Sequence, residues 1–568
     1  MGQPDVFLDI VFVLLFITTL SVAAVFFGRY LARVYSGDLS KGVPGRLEGI
    51  IYRFIGTSPE EETEWWDYSK NLLIFNAIGI AGLLFLLLIQ GYLPLNPQGV
   101  SGFGLPVALN VAISFVTNTN WQVYSGEISA SYLTQMLGFT VQNFLSASTG
   151  IVVAVALIRG IFRRTAEHIG NFWVDITRTV LYVLLPIAFF AALILCSQGV
   201  IQNLDPYVHA AGFDENTPQV LAMGPVASQE SIKELGTNGG GFFNANSAHP
   251  FENPSPITNI FEIFLILIIP AAFPFMFGEI IGERKQGWAL YLTMLIIFLI
   301  AFSVLYAAEL YGNPLLQHED ITGIPMEGKE VRFSLGGTTL FATSTTGASC
   351  GAVNAMHDSF TPLGGLVPLL LILLGEVVFG GVGSGFYTLI AFVIIADFIA
   401  GLMIGRTPEY LGKKIEVWEM KMALIAVLTP GIIVLIMTGA AMVVPGATGA
   451  AMNPGPHGLS EIVYAFASMA NNNGSAFAGL DATGLFYLMG GSIAMLVGRF
   501  VPAIAVLAIA GSMVRKKKVP SGSGTLQTAS FSFVFWLILI ITIVGVLTFF
   551  PLLSLGPLAE HFIMTGGR

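Results

Sequence analysis

Thr237-Asn238-Gly239-Gly240-Gly241 is an uncharged polar turn set between a short amphipathic run and a long apolar one. Three other stretches share its setting: Thr117-Asn118-Thr119-Asn120, Thr345-Thr346-Gly347-Ala348-Ser349 and Asn472-Asn473-Gly474-Ser475. Aligned on Thr119, Gly239, Gly347 and Gly474, they recur after 120, 108 and 127 residues (239 − 119, 347 − 239, 474 − 347). So regular a spacing predicts four quarters of one pore lining.

Composition says where such a pore sits. Of 568 residues, 54% are hydrophobic and only 11% charged, and the mean hydropathy is +0.76. Too few charges remain to cover a soluble globule, so the chain is a polytopic membrane protein in contact with lipid. A net charge of −10 argues against nucleic acid as a partner, because that binding needs Lys and Arg to neutralise phosphates. Cys196 and Cys350 form neither a disulfide framework nor a metal spacing. The N-terminal apolar run from Val6 to Phe27 has its basic residues, Arg29 and Arg33, after it, which fits a retained span better than a cleaved signal peptide.

Apolar windows of crossing length fall at about 5–30, 70–92, 130–160, 172–200, 257–282, 288–311, 363–404, 420–444, 484–512 and 528–553. These are ten spans of an all-α fold. Basic residues cluster in alternate connections: Arg29, Arg33, Arg46 and Arg53; Arg159, Arg163 and Arg164; Arg284 and Lys285; Arg406, Lys413 and Lys414; Arg515 to Lys518. The positive-inside rule then makes those connections cytoplasmic and puts both termini outside. Trp66, Trp173, Trp288 and Trp418 each precede a span rising from the cytoplasmic side, where indole rings favour the headgroup layer. The unit is rising helix, external re-entrant segment, descending helix. Its expected boundaries are an extra helix at 1–34, repeats at 64–165, 166–286, 287–415 and 416–518, and a last helix at 519–568.

The run before each quarter, such as Ser228 to Leu235 or Leu459 to Met469, is helical in pattern but too short to cross. Non-helical backbone at membrane depth is tolerated where it lines water or is buried in protein. Rings of main-chain carbonyls can replace the hydration shell of a cation, glycine permits the backbone this needs, and the short helices aim negative dipole ends at the cavity. The quarters contain no Asp or Glu, which disfavours a carboxylate site for divalent cations. Seven residues past the aligned glycines come Asn246, Asn354 and Asp481, expected to cap the descending helices. His249 and His357, ten residues past the first two glycines, are expected to brace the loops, with metal ligation as the lesser alternative.

The stretches TNTNWQ at 117–122, TNGGGFFNANSAHPFENP at 237–254, TTGASCGAVNAMHDSFTPLGG at 345–365, GRTPEYLGKKIE at 405–416 and ANNNGSAFAGL at 470–480 resemble the potassium-binding subunits of the bacterial Kdp potassium-transporting ATPases. The resemblance covers the whole chain. It implies a fold of the K⁺-channel-like transporter superfamily: four tandem helix, pore-loop, helix repeats around a central pore. It also implies selection of extracellular K⁺, the transported ion, and its passage through an intramembrane tunnel to a P-type ATPase subunit. An accessory subunit and a small single-span subunit complete such complexes in the bacterial cytoplasmic (inner) membrane. On this basis the filter residues are Asn118, Thr119, Thr237, Asn238, Gly239, Gly240, Thr345, Thr346, Gly347, Ala348, Asn472, Asn473, Gly474 and Ser475, with K⁺ held by their main-chain carbonyls.

Charges inside spans are costly and mark pathways or internal pairs. Glu376 in the seventh window and Arg499 in the ninth are placed near mid-depth. The seventh window is longer than one crossing and is interrupted by Gly380-Gly381-Val382-Gly383-Ser384-Gly385, which predicts a broken helix with a loop beneath the filter. Glu376, Gly381, Gly383, Arg406 and Arg499 are the candidate tunnel or gate residues. Arg499 is read either as an electrostatic floor or as a brace to a carboxylate. Asp397, Glu279 and Glu283 are expected to be solvated or paired with Arg284, Lys285 or Arg406.

The chain has no GxxxxGK[ST] loop, no DKTGT-like stretch and no large hydrophilic block, so on its own it is not expected to hydrolyse ATP. It needs no organic cofactor. Two alternatives stand beside the pump subunit: a stand-alone channel or transporter similar to Trk and Ktr subunits, and a membrane anchor of a redox complex. The latter would need haem or quinone ligands within the spans.

Overall fold

The structure, a computed structural model, describes residues 6–37, 43–211, 219–318, 323–405, 407–518 and 527–566. The helices that form the spans and lead into the polar turns are α1 (Val6–Ser36), α2 (Trp65–Ile89), α3 (Leu105–Val116), α4 (Thr134–Phe162), α5 (Phe172–Ser197), α6 (Val226–Leu235), α7 (Pro256–Ile281), α8 (Arg284–Tyr311), α9 (Leu335–Gly347), α10 (Pro362–Leu373), α11 (Ser384–Ile404), α12 (Val417–Val443), α13 (Gly455–Asn471), α14 (Leu485–Arg515) and α15 (Phe531–Met564). Among the described residues, ten helices are long and apolar enough to cross a membrane. Two short hairpins, Val208–Ala210 with Gln219–Leu221 and Glu409–Tyr410 with Lys413–Lys414, are the only described paired strands.

A pattern repeats four times: a long helix, a short helix ending in a polar turn, and a second long helix. The two long helices differ in what they face. In the apolar windows of α4 and α7, 83% of residues are buried, and in those of α11 and α14, 61% and 67%. In α2, α5, α8 and α12 the shares are 22%, 39%, 50% and 33%. The second long helix of each unit therefore builds the inner wall, and the first stands outside it with Ile74, Phe85, Phe189 and Ile436 exposed. With no hydrophobic effect between helices in lipid, close packing carries the association. A Cβ on Gly28 of α1 would lie 2.8 Å from Ala272 O of α7, and one on Gly160 of α4 would lie 2.6 Å from Ala510 O of α14. These are crossings that only small residues allow.

The seventh window departs from a single span. It is α10, twelve residues long, then irregular chain from 374 to 383, then α11. The break takes in the first four residues of the predicted glycine cluster, Gly380 to Gly383, while Ser384 and Gly385 open α11; it begins earlier, at Leu374, so Glu376 lies in the break and not within a helix. Asp397 is buried, with Oδ2 lacking a hydrogen-bond partner, contrary to the expectation of solvation. Glu279 does pair with Arg284, at 3.0 Å.

Candidate functional site

Four short helices, α3, α6, α9 and α13, run into the polar turns, whose residues are buried save the half-buried Gly474. Backbone geometry gives the correspondence between them. Asn118, Thr237, Ser349 and Asn472 have φ of 63°, 46°, 54° and 60°; two residues on, Asn120, Gly239, Gly351 and Gly474 have φ of 53°, 87°, 86° and 101°. Each turn thus alternates into the left-handed region twice, a conformation that favours Gly and Asn.

This corrects the register in two quarters. The third turn is Ser349-Cys350-Gly351; Thr345, Thr346 and Gly347 form the last turn of α9, and Ala348 is its C-cap. The hydroxyl of Thr346 bonds back to Ala342 O at 2.7 Å, and Gly347 has no positive φ. In the first quarter Asn120, not Thr119, stands at the glycine position. In the second and fourth quarters the left-handed glycines are Gly239 and Gly474, with Gly240 and Ser475 just past the turn.

The turns close a ring. A Cβ on Gly239 would sit 1.8 Å from Cys350 O, on Gly351 2.3 Å from Asn473 O, and on Gly474 2.0 Å from Thr119 O. A Cβ on Gly240 would sit 2.8 Å from Cβ of Asn120, which joins the first quarter to the second. Side chains tie the same neighbours. Asn118 Nδ2 donates to Thr237 O (2.9 Å), Ser349 Oγ to Asn472 O (3.0 Å), and Asn472 Nδ2 to Thr119 Oγ1 (2.8 Å). The oxygens of Thr119, Asn238, Cys350 and Asn473, the middle residue of every turn, accept no hydrogen bond from any described residue. Four equivalent carbonyls are thus left without a protein donor, where buried carbonyls are normally satisfied.

Behind the second quarter lies a cluster that the sequence reading missed. Lys233, fully buried near the end of α6, places Nζ 2.8 Å from Glu230, 2.8 Å from Glu252 and 3.3 Å from Glu234. Its signal was present in Glu230, Lys233 and Glu234, three charges at helical spacing in a chain poor in them. Asn246 relays it to the ring: Oδ1 accepts from Lys233 Nζ at 3.0 Å and Nδ2 donates to Gly239 O at 2.6 Å. Asn246 therefore braces the loop and does not cap α7, which Ser255 does through Thr258 N. Asn354 likewise donates to Asn259 Oδ1 (2.8 Å), while Thr361 caps α10. Asp481 accepts from Thr483, and α14 has no side-chain cap. His249 stacks on Phe243 at 3.7 Å, and His357 Nδ1 meets Tyr464 OH at 2.8 Å, both within the loops.

The broken segment lies against the ring. Gly380 N donates to Gly347 O at 3.0 Å and Val382 N to Thr237 Oγ1 at 3.1 Å. A Cβ on Gly381 would lie 2.5 Å from Ser384 Oγ, and one on Gly383, with φ of 85°, 2.2 Å from Gly150 O of α4. Glu376 is buried, with Oε1 unpartnered and Ser349 and Asn473 facing the carboxylate. It lines a cavity of about 30 Å³ with Arg499, Tyr387 and Asn472. A second cavity of about 20 Å³ shares Gly375, Val427 and Asn471 with the first and reaches Val544 and Phe549 of α15. Arg499, also buried, donates to Ser146 O at 3.0 Å; among the described residues no carboxylate lies within 4.0 Å of it, so the carboxylate brace is not formed. Arg406 lies outside the described residues.

Comparison with known proteins places this arrangement. The profile of the family described as the potassium-transporting ATPase A subunit matches residues 14–562. The potassium-transporting ATPase potassium-binding subunit of Geotalea uraniireducens (strain Rf4) is 56% identical, over 95% of this chain and 96% of its own. The subunit of the same name from Hydrogenobaculum sp. (strain Y04AAS1) is 52% identical over 99% of both. The crystal structure of the potassium transporter TrkH from Vibrio parahaemolyticus superposes with a TM-score of 0.52 at 16% identity, covering 85% of this chain and 95% of that one, which is a likeness of fold. The match along nearly the whole length makes this chain a member of the potassium-transporting ATPase A subunit family.

Proposed function

We propose that this chain is the potassium-binding and translocating subunit of an ATP-driven K⁺ uptake pump. The observation that carries this is the closed ring with four equivalent, donor-free carbonyls at Thr119, Asn238, Cys350 and Asn473. A K⁺ ion entering the ring exchanges water for main-chain oxygens without the cost of burying a fixed carboxylate. The C-terminal ends of α3, α6, α9 and α13 add negative potential there. The filter on this reading comprises Asn118 to Asn120, Thr237 to Gly239, Ser349 to Gly351 and Asn472 to Gly474, with repeat boundaries near 64–165, 166–286, 287–415 and 416–518.

Beneath the ring, segment 374–383 closes the axial route, and K⁺ turns sideways past Glu376 through the two small cavities toward α15. Arg499 repels it from the straight path down. There it passes to a P-type ATPase subunit, since this chain supplies no phosphorylation motif; an accessory subunit and a small single-span subunit complete the complex. The setting is the bacterial inner membrane, with both termini external. The stand-alone reading is supported only by a distant likeness of fold, whereas relatives above 50% identity carry the ATPase name.

The register of the ring supplies the test. In the assembled complex, Gly351→Ala forces a Cβ to within 2.3 Å of Asn473 O at a left-handed position, while Gly347→Ala meets only Val378 O at 2.9 Å from a helical one. Gly351→Ala is expected to raise the K⁺ concentration for half-maximal ATPase activity by about tenfold or more, the equivalent of about 1.4 kcal/mol, and Gly347→Ala by much less. Gly239→Asp should also relax selectivity against Rb⁺, NH₄⁺ or Na⁺. Normal K⁺ affinity in Gly351→Ala would sink the assignment.

A further inference from the structure

On the rim of the fold, away from the ring carbonyls, four titratable side chains from three separate elements meet at one imidazole. His457 and Glu461 stand one turn apart on α13, Asp358 lies on the connection between the third turn and α10, and Glu560 lies in the last turns of α15. His457 Nε2 is 2.8 Å from Asp358 Oδ1 and 4.0 Å from Glu461 Oε1, and these three ligand-type atoms all lie within 4.8 Å of one another. On the opposite edge of the ring, Nδ1 is 2.7 Å from Glu560 Oε1.

Three features distinguish this from an ordinary surface ion pair. Three carboxylates surround one imidazole, and among the described residues no Lys or Arg pairs with any of them, so the cluster carries excess negative charge. The Glu461 side chain is fully buried and held in place by Asn453 Nδ2 at 2.6 Å and Met452 N at 3.1 Å. Gly479 leaves the space beside it: a Cβ there would come within 2.3 Å of Glu461 Oε1 and 3.1 Å of Asp358 Oδ1. His457 and Asp358 keep some exposure, 22% and 15% of their side chains, which gives an ion a way in.

We propose that His457 Nε2, Asp358 and Glu461 form a binding site for a divalent transition-metal ion of the zinc class, with Glu560 as the positioning residue. Zinc accepts imidazole nitrogen and carboxylate oxygen at about 2.0–2.2 Å in tetrahedral geometry and takes water at an open position. Ligand atoms in such a shell stand roughly 3.3–3.5 Å apart, between the 2.8 Å and the 4.0 Å that separate Nε2 from Asp358 and from Glu461. Glu560 on the far nitrogen orients the ring, and an incoming metal replaces the Nε2 proton that Asp358 Oδ1 accepts at 2.8 Å, so that binding releases a proton. Bound metal would clamp α13, the loop after the third turn and the end of α15 together.

The test uses the purified full complex carrying no polyhistidine tag, titrated with Co²⁺ and then Zn²⁺. Wild type is expected to develop visible cobalt absorption at one ion per chain, bleached by Zn²⁺, and to unfold at a higher temperature with Zn²⁺ present. His457→Gln and Asp358→Asn, each confirmed folded by its metal-free unfolding transition, should lose the absorption, and Glu560→Gln should weaken affinity by about 10- to 100-fold. A folded wild-type complex with no cobalt absorption overturns the site, as does undiminished affinity in both ligand variants. Undiminished affinity in Glu560→Gln alone overturns the positioning role of that residue.

Discussion

Asn246 touches both the ring, through Gly239 O, and the buried ammonium of Lys233. Replacing it by Leu keeps the branched outline of the side chain and removes both bonds, leaving a buried charge short of one partner, at a cost of about 1–3 kcal/mol. We expect lower K⁺ affinity together with a lower unfolding temperature; a change in stability alone would separate the brace from the ring. His249 offers a pH readout. Burial against Phe243 holds its imidazole below the usual value. Since the folded value lies below the unfolded one, its contribution is whole above about pH 6.5 and is lost as the pH falls through that point. His249→Gln should therefore lose less thermal stability than wild type between pH 7 and pH 5. Residue-level register was the least legible part of the sequence. Thr345-Thr346-Gly347 has the composition of a turn, yet Thr343 and Thr346 satisfy their hydroxyls on carbonyls four residues back, so α9 runs one turn further before it stops.

At the scale of elements the sequence was far more informative, because crossing length and helical period act over many residues. The ten apolar windows match ten helices, and the runs before the polar turns are helices too short to cross. What composition could not show is where an irregular segment goes once a helix breaks. Segment 374–383 lies against α4 and the ring through contacts to Gly150, Thr237 and Gly347, none of which is near it in sequence. Deleting residues 380–385 is expected to give K⁺ leak in proteoliposomes without ATP; flux equal to wild type would count against a gate. Arg499→Gln should keep the fold, because its one hydrogen bond is to a main-chain oxygen, while raising ATP consumption per K⁺ moved. A large loss of stability with unchanged coupling would assign it to the scaffold instead.

For the whole molecule, orientation in the membrane is tested by chemical access to its connections. The alternation of basic connections predicts Thr165 inside and Ser101 outside, and both are exposed. With the exposed Cys196 replaced by Ser, a cysteine at Ser101 should react with a membrane-impermeant thiol reagent in intact cells, and one at Thr165 only after permeabilisation. The reverse pattern would invert the topology. The break between α10 and α11 occurs in one unit of the four, while α4, α7 and α14 run on as long helices. A ring assembled from identical subunits would have to carry such a break four times or not at all. One continuous chain lets a single unit differ, so the ring rests on an irregular segment at one side and on long helices at the other three, and on the proposed function that asymmetry would give a descending ion a compass bearing.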